Sequence, residues 1–317
     1  MDQLSTMNES QTSSNDGAVH IAVPRLGVPA SASMLRTPDG AVCVVPARGN
    51  IPGTKDYPRV PPDPFVPASK GAVSRDRLEY FPSMHVSAHP TKWAFPAYLD
   101  NPTCRWLQAL KGLYAEPISF PASLSPEAGL LLHGLVRNIR PRVVIETGTF
   151  VGVSTLWIAA ALRENGDGGV VHSFDDMGPI EKGPWREVEM RSGRLEFVAG
   201  NIARAGLAEH VVLHPGNSSF EVRAAHEELR SAGGAQFAFL DADHGVLGSW
   251  HDFWATEPVL NTGGFVLLHD TFPEYCSWPG ARHVLDNLNA KAVGTYEKLD
   301  MYLSPMNYGL GLIRRVG

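Results

Sequence analysis

Glu146, Asp175, Ser218, Asp241, His244, His269 and Asp270 each lie at or just beyond the end of a short apolar run. A carboxylate in that position can accept hydrogen bonds from hydroxyl groups. Asp175, closing the run Val170–Phe174, is placed to reach vicinal hydroxyls such as those of a ribose. Asp241, His269 and Asp270 offer carboxylate and imidazole ligands from neighbouring strand ends, a donor set able to hold a divalent ion. Such an ion fixes a bound hydroxyl and lowers its pKa. His244 falls just ahead of a helical pattern, where the helix end disfavours imidazolium and leaves a neutral base. Plainer roles exist for each: a hydrogen-bonded structural histidine, or a capping or solvated acid.

The stretch Val143–Thr155 organises these groups. Val143-Val144-Ile145 reads as a buried strand ending in Glu146. Gly148 and Gly152 follow, then Ser154 and Thr155, and from there Leu156, Ile158, Ala159, Ala160 and Leu162 give a helical pattern. Glycines let backbone N–H groups approach a ligand, and the new helix presents its own unpaired N–H groups. The spacing does not match Gly-x-Gly-x-x-Gly, which disfavours a nicotinamide site, and no Gly-Lys-Ser/Thr follows, which excludes a P-loop. A Gly-x-x-x-Gly alone is also compatible with an ordinary strand-to-helix turn.

Further strands are expected at Gly169–Phe174, Val211–His214, Phe237–Leu240 and Phe265–Leu268, separated by helices at about 195–208, 219–231 and 246–260. A helix at about 280–288 and two strand-like runs, Tyr296–Leu303 and Tyr308–Arg314, complete the chain. This order predicts an α/β, Rossmann-like doubly wound, mostly parallel seven-stranded sheet with an antiparallel C-terminal hairpin strand, plus a Pro-rich N-terminal extension. Upstream, Trp93 to about Tyr114 reads as one helix. Ser125, Pro126 and Glu127 mark the start of another, which stops before Pro141.

Residues 1–88 form the extension: a polar, disordered tail, a short run at Val19–Val23, a hairpin turning at Pro38-Asp39-Gly40, and a Pro-rich arm from Pro46 to Pro67. Residues 89–317 form the main domain, with its core at 125–317. The arm is expected to wrap the domain or a partner subunit, or to cover a site. A net charge of −6 offers no basic field for nucleic acid or an anionic membrane. Cys43, Cys104 and Cys276 are too scattered for a disulfide framework and fit a reducing compartment. The N-terminus shows no signal peptide, and no apolar run approaches the roughly 18–20 residues needed to span a bilayer. A cytoplasmic location is expected.

Taken together, Glu146-Thr-Gly148-Thr-Phe-Val-Gly152-Val-Ser154, Asp175, Asp241-Ala-Asp-His244 and Gly263-Gly264 followed by His269-Asp270 resemble the class I S-adenosylmethionine-dependent methyltransferases. The likeness is to the O-methyltransferase branch with the catechol-type enzymes and the antibiotic-tailoring enzymes of cephalosporins and macrolide sugars. It covers about Ser125 to Gly317. The resemblance implies that Glu146, Gly148, Gly152 and Ser154 surround the amino-acid part of S-adenosylmethionine, that Asp175 holds its ribose, and that Ser218 lies near its adenine. It further implies Asp241, His269 and Asp270 as metal ligands, with Asp241 and His244 catalytic and His244 the general base. Catechol-type relatives carry a carboxylate followed by Asn or Asp on strand five, whereas this chain has His269-Asp270. Mg or Mn is the expected ion, and an imidazole ligand suits Mn, Fe or Zn better than Mg.

The expected activity is methyl transfer from S-adenosylmethionine to a hydroxyl of a small molecule in secondary metabolism, assisted by a divalent metal. N-methyl transfer on the same fold is the alternative. So is a non-catalytic S-adenosylmethionine-binding subunit that uses its arm to bind a partner. A homo-oligomer through the N-terminal arm is a further expectation. The irregular stretch Met177–Arg194 is expected to shape the substrate pocket, with Trp185 and Trp106 as candidate walls and core packing the stronger role for Trp106.

Overall fold

The computed structural model describes residues 92–182, 188–276, 278–301 and 307–317, together with three short strands, β1 (Ile21–Ala22), β2 (Ala32–Arg36) and β3 (Val42–Pro46). The Pro-rich arm and Trp185 lie outside the described residues. The main sheet strands are β4 (Val143–Thr147), β5 (Val170–Asp175), β6 (Val211–Pro215), β7 (Ala235–Leu240), β8 (Leu260–His269), β9 (Tyr296–Met301) and β10 (Leu310–Arg315). Their order is β6-β5-β4-β7-β8-β10-β9, with β3, β2 and β1 continuing beyond β6. β4 to β8 run parallel, and β10 is antiparallel to both β8 and β9. The sheet is thus the expected seven-stranded, mostly parallel one, extended at one edge by the β2–β3 hairpin.

Pleating sorts the strand side chains between two cores. Val144, Val171, Leu213 and Phe237 face α1 (Arg105–Ala115), α2 (Pro126–Ile139), α3 (Val153–Asn165) and α4 (Arg194–Ala205). Val143, Ile145, Phe174 and Ala238 face α5 (Ser218–Ala224), α6 (His226–Ser231), α7 (Val246–Thr256) and α9 (Gly280–Lys291). A short helix, α8 (Pro273–Cys276), follows β8. Trp157 of α3 is fully buried, and its indole N–H donates to the Tyr114 hydroxyl at 2.9 Å, which in turn donates to the Leu124 carbonyl. No polar atom of that pair is left unsatisfied, so truncating Trp157 to Ala costs about 3–5 kcal/mol in lost packing.

Several helix boundaries differ from the sequence pattern. The stretch Trp93–Tyr114 is not one helix. A 3-10 turn at Ala97–Leu99 and a break at Asn101-Pro102 precede α1, because a proline cannot donate to a helix already under way. Tyr98 is consequently exposed, while Trp106, Leu107 and Leu110 are buried. The helix expected at 219–231 is two, α5 and α6, meeting at Ala225. The start of α2 is as read: the Ser125 hydroxyl accepts from the Ala128 N–H, with Pro126 at the first helical position. Among the described residues, no helix is long and apolar enough to cross a membrane.

Candidate active site

The strand order reverses between β4 and β7, and a parallel sheet opens a crevice at such a point, at the C-terminal ends of its strands. A cavity of about 810 Å³ lies there. It is lined by Gly148, Asp175, Ser218, Asp241, His244, His269 and Asp270 among others. Gly148 closes the crevice floor at φ +89°, and a Cβ on it would come within 2.2 Å of the Asp241 carbonyl oxygen. The Asp241 N–H donates to the Thr147 carbonyl at 2.9 Å, which keeps the two strand ends in register. Gly148 is therefore required by the neighbouring strand itself. Gly152, the residue before α3, has φ +93°, a left-handed geometry that glycine adopts without strain.

Glu146 is fully buried behind the cavity wall, on the α3 side of β4. Its Oε2 accepts from the Thr155 hydroxyl at 2.6 Å and from the Ser173 hydroxyl. Oε1 is buried with no hydrogen-bond partner among the described residues. Burial pushes the carboxyl from 4.5 up to about 7; the hydroxyls of Ser154, Ser173 and Thr155 pull it down, and the charge of Asp241 pushes it further up. Gly152 and Ser154 sit with Glu146 behind the wall, while Gly148, Asp175 and Ser218 reach the cavity.

Asp175, at the end of β5, is buried and densely held. Oδ2 accepts from the Phe150 N–H at 2.9 Å, and Oδ1 accepts from the Met177 N–H at 2.8 Å and from the Arg194 guanidinium. Burial raises its pKa to about 6 against the opposing pull of Arg194 and the two backbone donors. Arg194 also donates to the carbonyls of Phe150 and Gly178 and to Asp176. Asp176 lines the cavity with a half-exposed side chain. On the far side of the same rim, the Ser218 hydroxyl donates to Asp252 of α7 at 2.6 Å. Asp252 is pushed up to about 7 by burial, and its bond to Ser218 is a second constraint on that rim.

Asp241, His269 and Asp270 meet at the ends of β7 and β8, with their ligand atoms all within 4.8 Å of one another. His269 Nδ1 lies 3.1 Å from Asp241 Oδ1 and 3.2 Å from Asp270 Oδ1. Burial works against the charged imidazole, but the two carboxylates outweigh it and push His269 up to about 9. Burial likewise raises Asp270, with His269 and His244 pulling the other way. Asp270 adopts φ +58°, a left-handed backbone unusual for a residue with a side chain. His244 stands at the cavity with Nδ1 3.5 Å from Asp270 Oδ2 and its ring 5.7 Å from that of Trp278. One nitrogen and two carboxylates form a mixed donor set that fits a divalent transition ion, and the acids alone also suit Mg.

The structure thus brings Asp175, Ser218, Asp241, His244, His269 and Asp270 to one cavity. It adds groups the sequence reading did not single out: Arg194, Phe150, Trp278 and Tyr308. Arg194 carried a signal. It opens α4, where the helix end disfavours a cation, and such a placement calls for an anionic partner. Trp106 is a core residue, stacked on His133 at 5.4 Å and edge-on to Trp157 at 5.5 Å.

The family model described as a methyltransferase domain matches residues 145–271. A protein of Mycobacterium sp. (strain KMS), provisionally named an O-methyltransferase, is 31% identical over 78 residues, 25% of this chain. The match spans 36% of that relative's length. TomG, an O-methyltransferase from Streptomyces achromogenes involved in tomaymycin synthesis and solved in complex with SAM, superposes with a TM-score of 0.50 at 20% identity. That superposition covers 66% of this chain and 90% of TomG. An O-methyltransferase from Bacillus cereus in complex with SAH gives a TM-score of 0.50 at 19% identity, over 69% of this chain and 93% of that one. Residues 145–271 thus match a methyltransferase domain, and the chain shares the fold of these two O-methyltransferases.

Proposed function

We propose that the chain transfers a methyl group from S-adenosylmethionine to a hydroxyl of a small molecule of secondary metabolism, with a divalent ion at Asp241, His269 and Asp270. The observation that carries this reading is one cavity joining two sets of groups. Asp175, Asp176 and Ser218 stand on the side of β5 and β6, and Asp241, His244 and Asp270 on the side of β7 and β8. The first set suits a nucleoside, the second a hydroxyl that must lose its proton. The names of TomG and of the Mycobacterium relative support oxygen as the acceptor.

The residues fit the cofactor. Glu146 Oε1, buried with no hydrogen-bond partner among the described residues, suits the ammonium of the methionyl part, with Gly148, Gly152 and Ser154 around it. Asp175, paired with Arg194, is assigned to the ribose hydroxyls, and Ser218, on the same cavity, to the adenine. When bound, S-adenosylmethionine supplies an electrophilic methyl on sulfonium sulfur, and an ion at the three ligands supplies a Lewis acid. His244 takes the proton of the substrate hydroxyl, with its ring steadied by Asp270. Trp278 and Tyr308, whose rings flank His244 and His269, limit water around the acceptor oxygen.

The test is calorimetric titration of S-adenosylhomocysteine into the protein, with and without Mn or Mg, followed by a labelled-methyl assay over hydroxylated small molecules. Micromolar binding and label in an ether product are expected. Asp241→Ala should abolish turnover while largely sparing cofactor binding. No binding under any metal condition, or full turnover in Asp241→Ala, would overturn the assignment.

A further inference from the structure

His172 lies on β5, His214 on β6 and Glu228 on α6, and none of the three lines the cavity. The register of the two strands pairs His172 with Val212 and Phe174 with His214, so the two imidazoles are diagonal neighbours on one face of the sheet. That face also carries Phe174, which packs toward α5 and α6. His172 Nδ1 and His214 Nε2 are 3.0 Å apart. Glu228 reaches in from α6, with Oε1 3.8 Å from His172 Nδ1. The ligand atoms of all three lie within 4.8 Å of one another. His172 and His214 are 5% and 1% exposed, so both rings are withdrawn from bulk water.

We propose that His172, His214 and Glu228 form a second metal site, which takes a zinc-type divalent cation and ties α6 to the sheet. Two imidazole nitrogens and one carboxylate oxygen are a zinc donor set, and imidazole excludes Mg and Ca as preferred occupants. Geometry supports the same conclusion. Zinc bonds of about 2.0–2.1 Å in a tetrahedron place ligand atoms about 3.3 Å apart. Two of the three separations, 3.0 Å and 3.8 Å, bracket that value, and the third lies within 4.8 Å. The rings are already fixed in orientation. His214 stacks on Phe174 with centroids 4.2 Å apart and an angle of 16°, and His172 stacks on His214 at 28°. The ladder already joins β5 to β6, so an ion there adds a link from those two strands to α6. A proton shared between the two imidazoles is the competing account of the 3.0 Å contact. A shared proton would put a positive charge on the pair that Glu228 also offsets, so metal content decides between the two accounts.

The experiment uses the full chain, stripped with a chelator and dialysed against Co(II) or Zn(II), with bound metal counted by mass spectrometry. The strand-end cluster is vacated by Asp241→Asn with Asp270→Asn. One equivalent of ion should remain in that variant, with the intense visible absorption of tetrahedral Co(II). Glu228→Gln, in the otherwise unchanged chain, should lower the count by one equivalent or weaken that site about tenfold or more. His214→Gln should remove the band. Near-ultraviolet dichroism checks folding of each variant. Should His214→Gln fail to fold, the comparison of Glu228→Gln with the unchanged chain still decides. No Co(II) bound when Asp241 and Asp270 are replaced, or a count and affinity unmoved by Glu228→Gln, would overturn the site in favour of a hydrogen-bonded imidazole pair only.

Discussion

Replacing Glu146 with Gln should make the protein a poorer binder and shift its stability upward, relative to the unchanged protein, as pH rises, and that pH dependence tests the reasoning behind both. The fold raises this carboxyl from 4.5 to about 7, chiefly by burial. A raised acid contributes stability through its protonated form. That contribution is complete below about pH 4.5 and is lost as pH rises through about 7. At high pH the folded chain carries a charged carboxylate with little water, at a cost of about 3 kcal/mol. Between pH 5 and pH 8.5 the difference amounts to about 2.5 kcal/mol. A glutamine has no proton to lose. An amide nitrogen in place of Oε1 lacks an acceptor and costs about 1–3 kcal/mol, but that cost is the same at every pH.

The measurement is urea denaturation of both proteins from pH 5 to pH 8.5. The stability of Glu146→Gln relative to the unchanged protein should rise across that range by about 2.5 kcal/mol. Parallel curves would refute the assigned burial cost. The matching loss appears in binding. A charge-assisted hydrogen bond to a ligand ammonium is worth about 1.5–3 kcal/mol, so the dissociation constant for S-adenosylhomocysteine should rise about 10- to 100-fold at pH 8. An unchanged constant would remove Glu146 from the cofactor site and leave its burial without a function.

Gly148→Ala combines a left-handed φ with a clash against the Asp241 carbonyl, and should lower stability by about 2–5 kcal/mol in urea denaturation; an unchanged midpoint would refute the close approach. Arg194→Ala breaks a buried pair with Asp175 and should cost about 3–5 kcal/mol. Losing the cation raises Asp175 further above about 6, so cofactor affinity should fall more at pH 6 than at pH 8, which calorimetry at both values checks. His244→Asn should lower kcat about 100-fold or more while leaving the cofactor dissociation constant nearly unchanged. An equal loss in both would make His244 a binding residue rather than a base.

Much of the sheet was legible because buried parallel strands are written as short unbroken apolar runs, and an acid or histidine after such a run marks the strand's end. Glu146, Asp175, Asp241 and Asp270 were found this way, and the reversal between β4 and β7 then brings their strand ends together. What the sequence hid were relations between side chains. Arg194 follows a glycine in an irregular stretch, and only the fold shows that its guanidinium closes on Asp175 and on the carbonyls of Phe150 and Gly178. Gly148 was read as making room for a ligand, and only the fold shows that Asp241 of the adjacent strand also needs the space a Cβ would take. Helix ends were obscured where local propensity and tertiary packing disagree. Trp93–Tyr114 has helical spacing throughout, yet Pro96 and Pro102 interrupt it. The strand expected at Phe265–Leu268 is longer: β8 begins at Leu260 and takes in Gly263 and Gly264.

The acids around the crevice share one physical condition, and that condition connects the apo protein to its ligand. Burial raises Glu146, Asp175, Asp252 and Asp270, although these residues come from three strand ends and a helix. A fold selected for stability alone replaces such groups with apolar or amide side chains, because a buried carboxylate is among the more expensive things a core can hold. Here each is offset locally: Glu146 by hydroxyls, Asp175 by Arg194, Asp252 by Ser218 and Asp270 by two histidines. The offsets differ in kind. Hydroxyls leave Glu146 near neutrality, where an incoming ammonium gains most by drawing off its proton. Arg194 opposes the rise at Asp175, which suits acceptance from neutral ribose hydroxyls. The histidines answer Asp270 with groups that can themselves bind an ion or take a proton. Under the proposed function, the same desolvation prepares three chemically different subsites, and the partner of each acid decides which ligand group it meets.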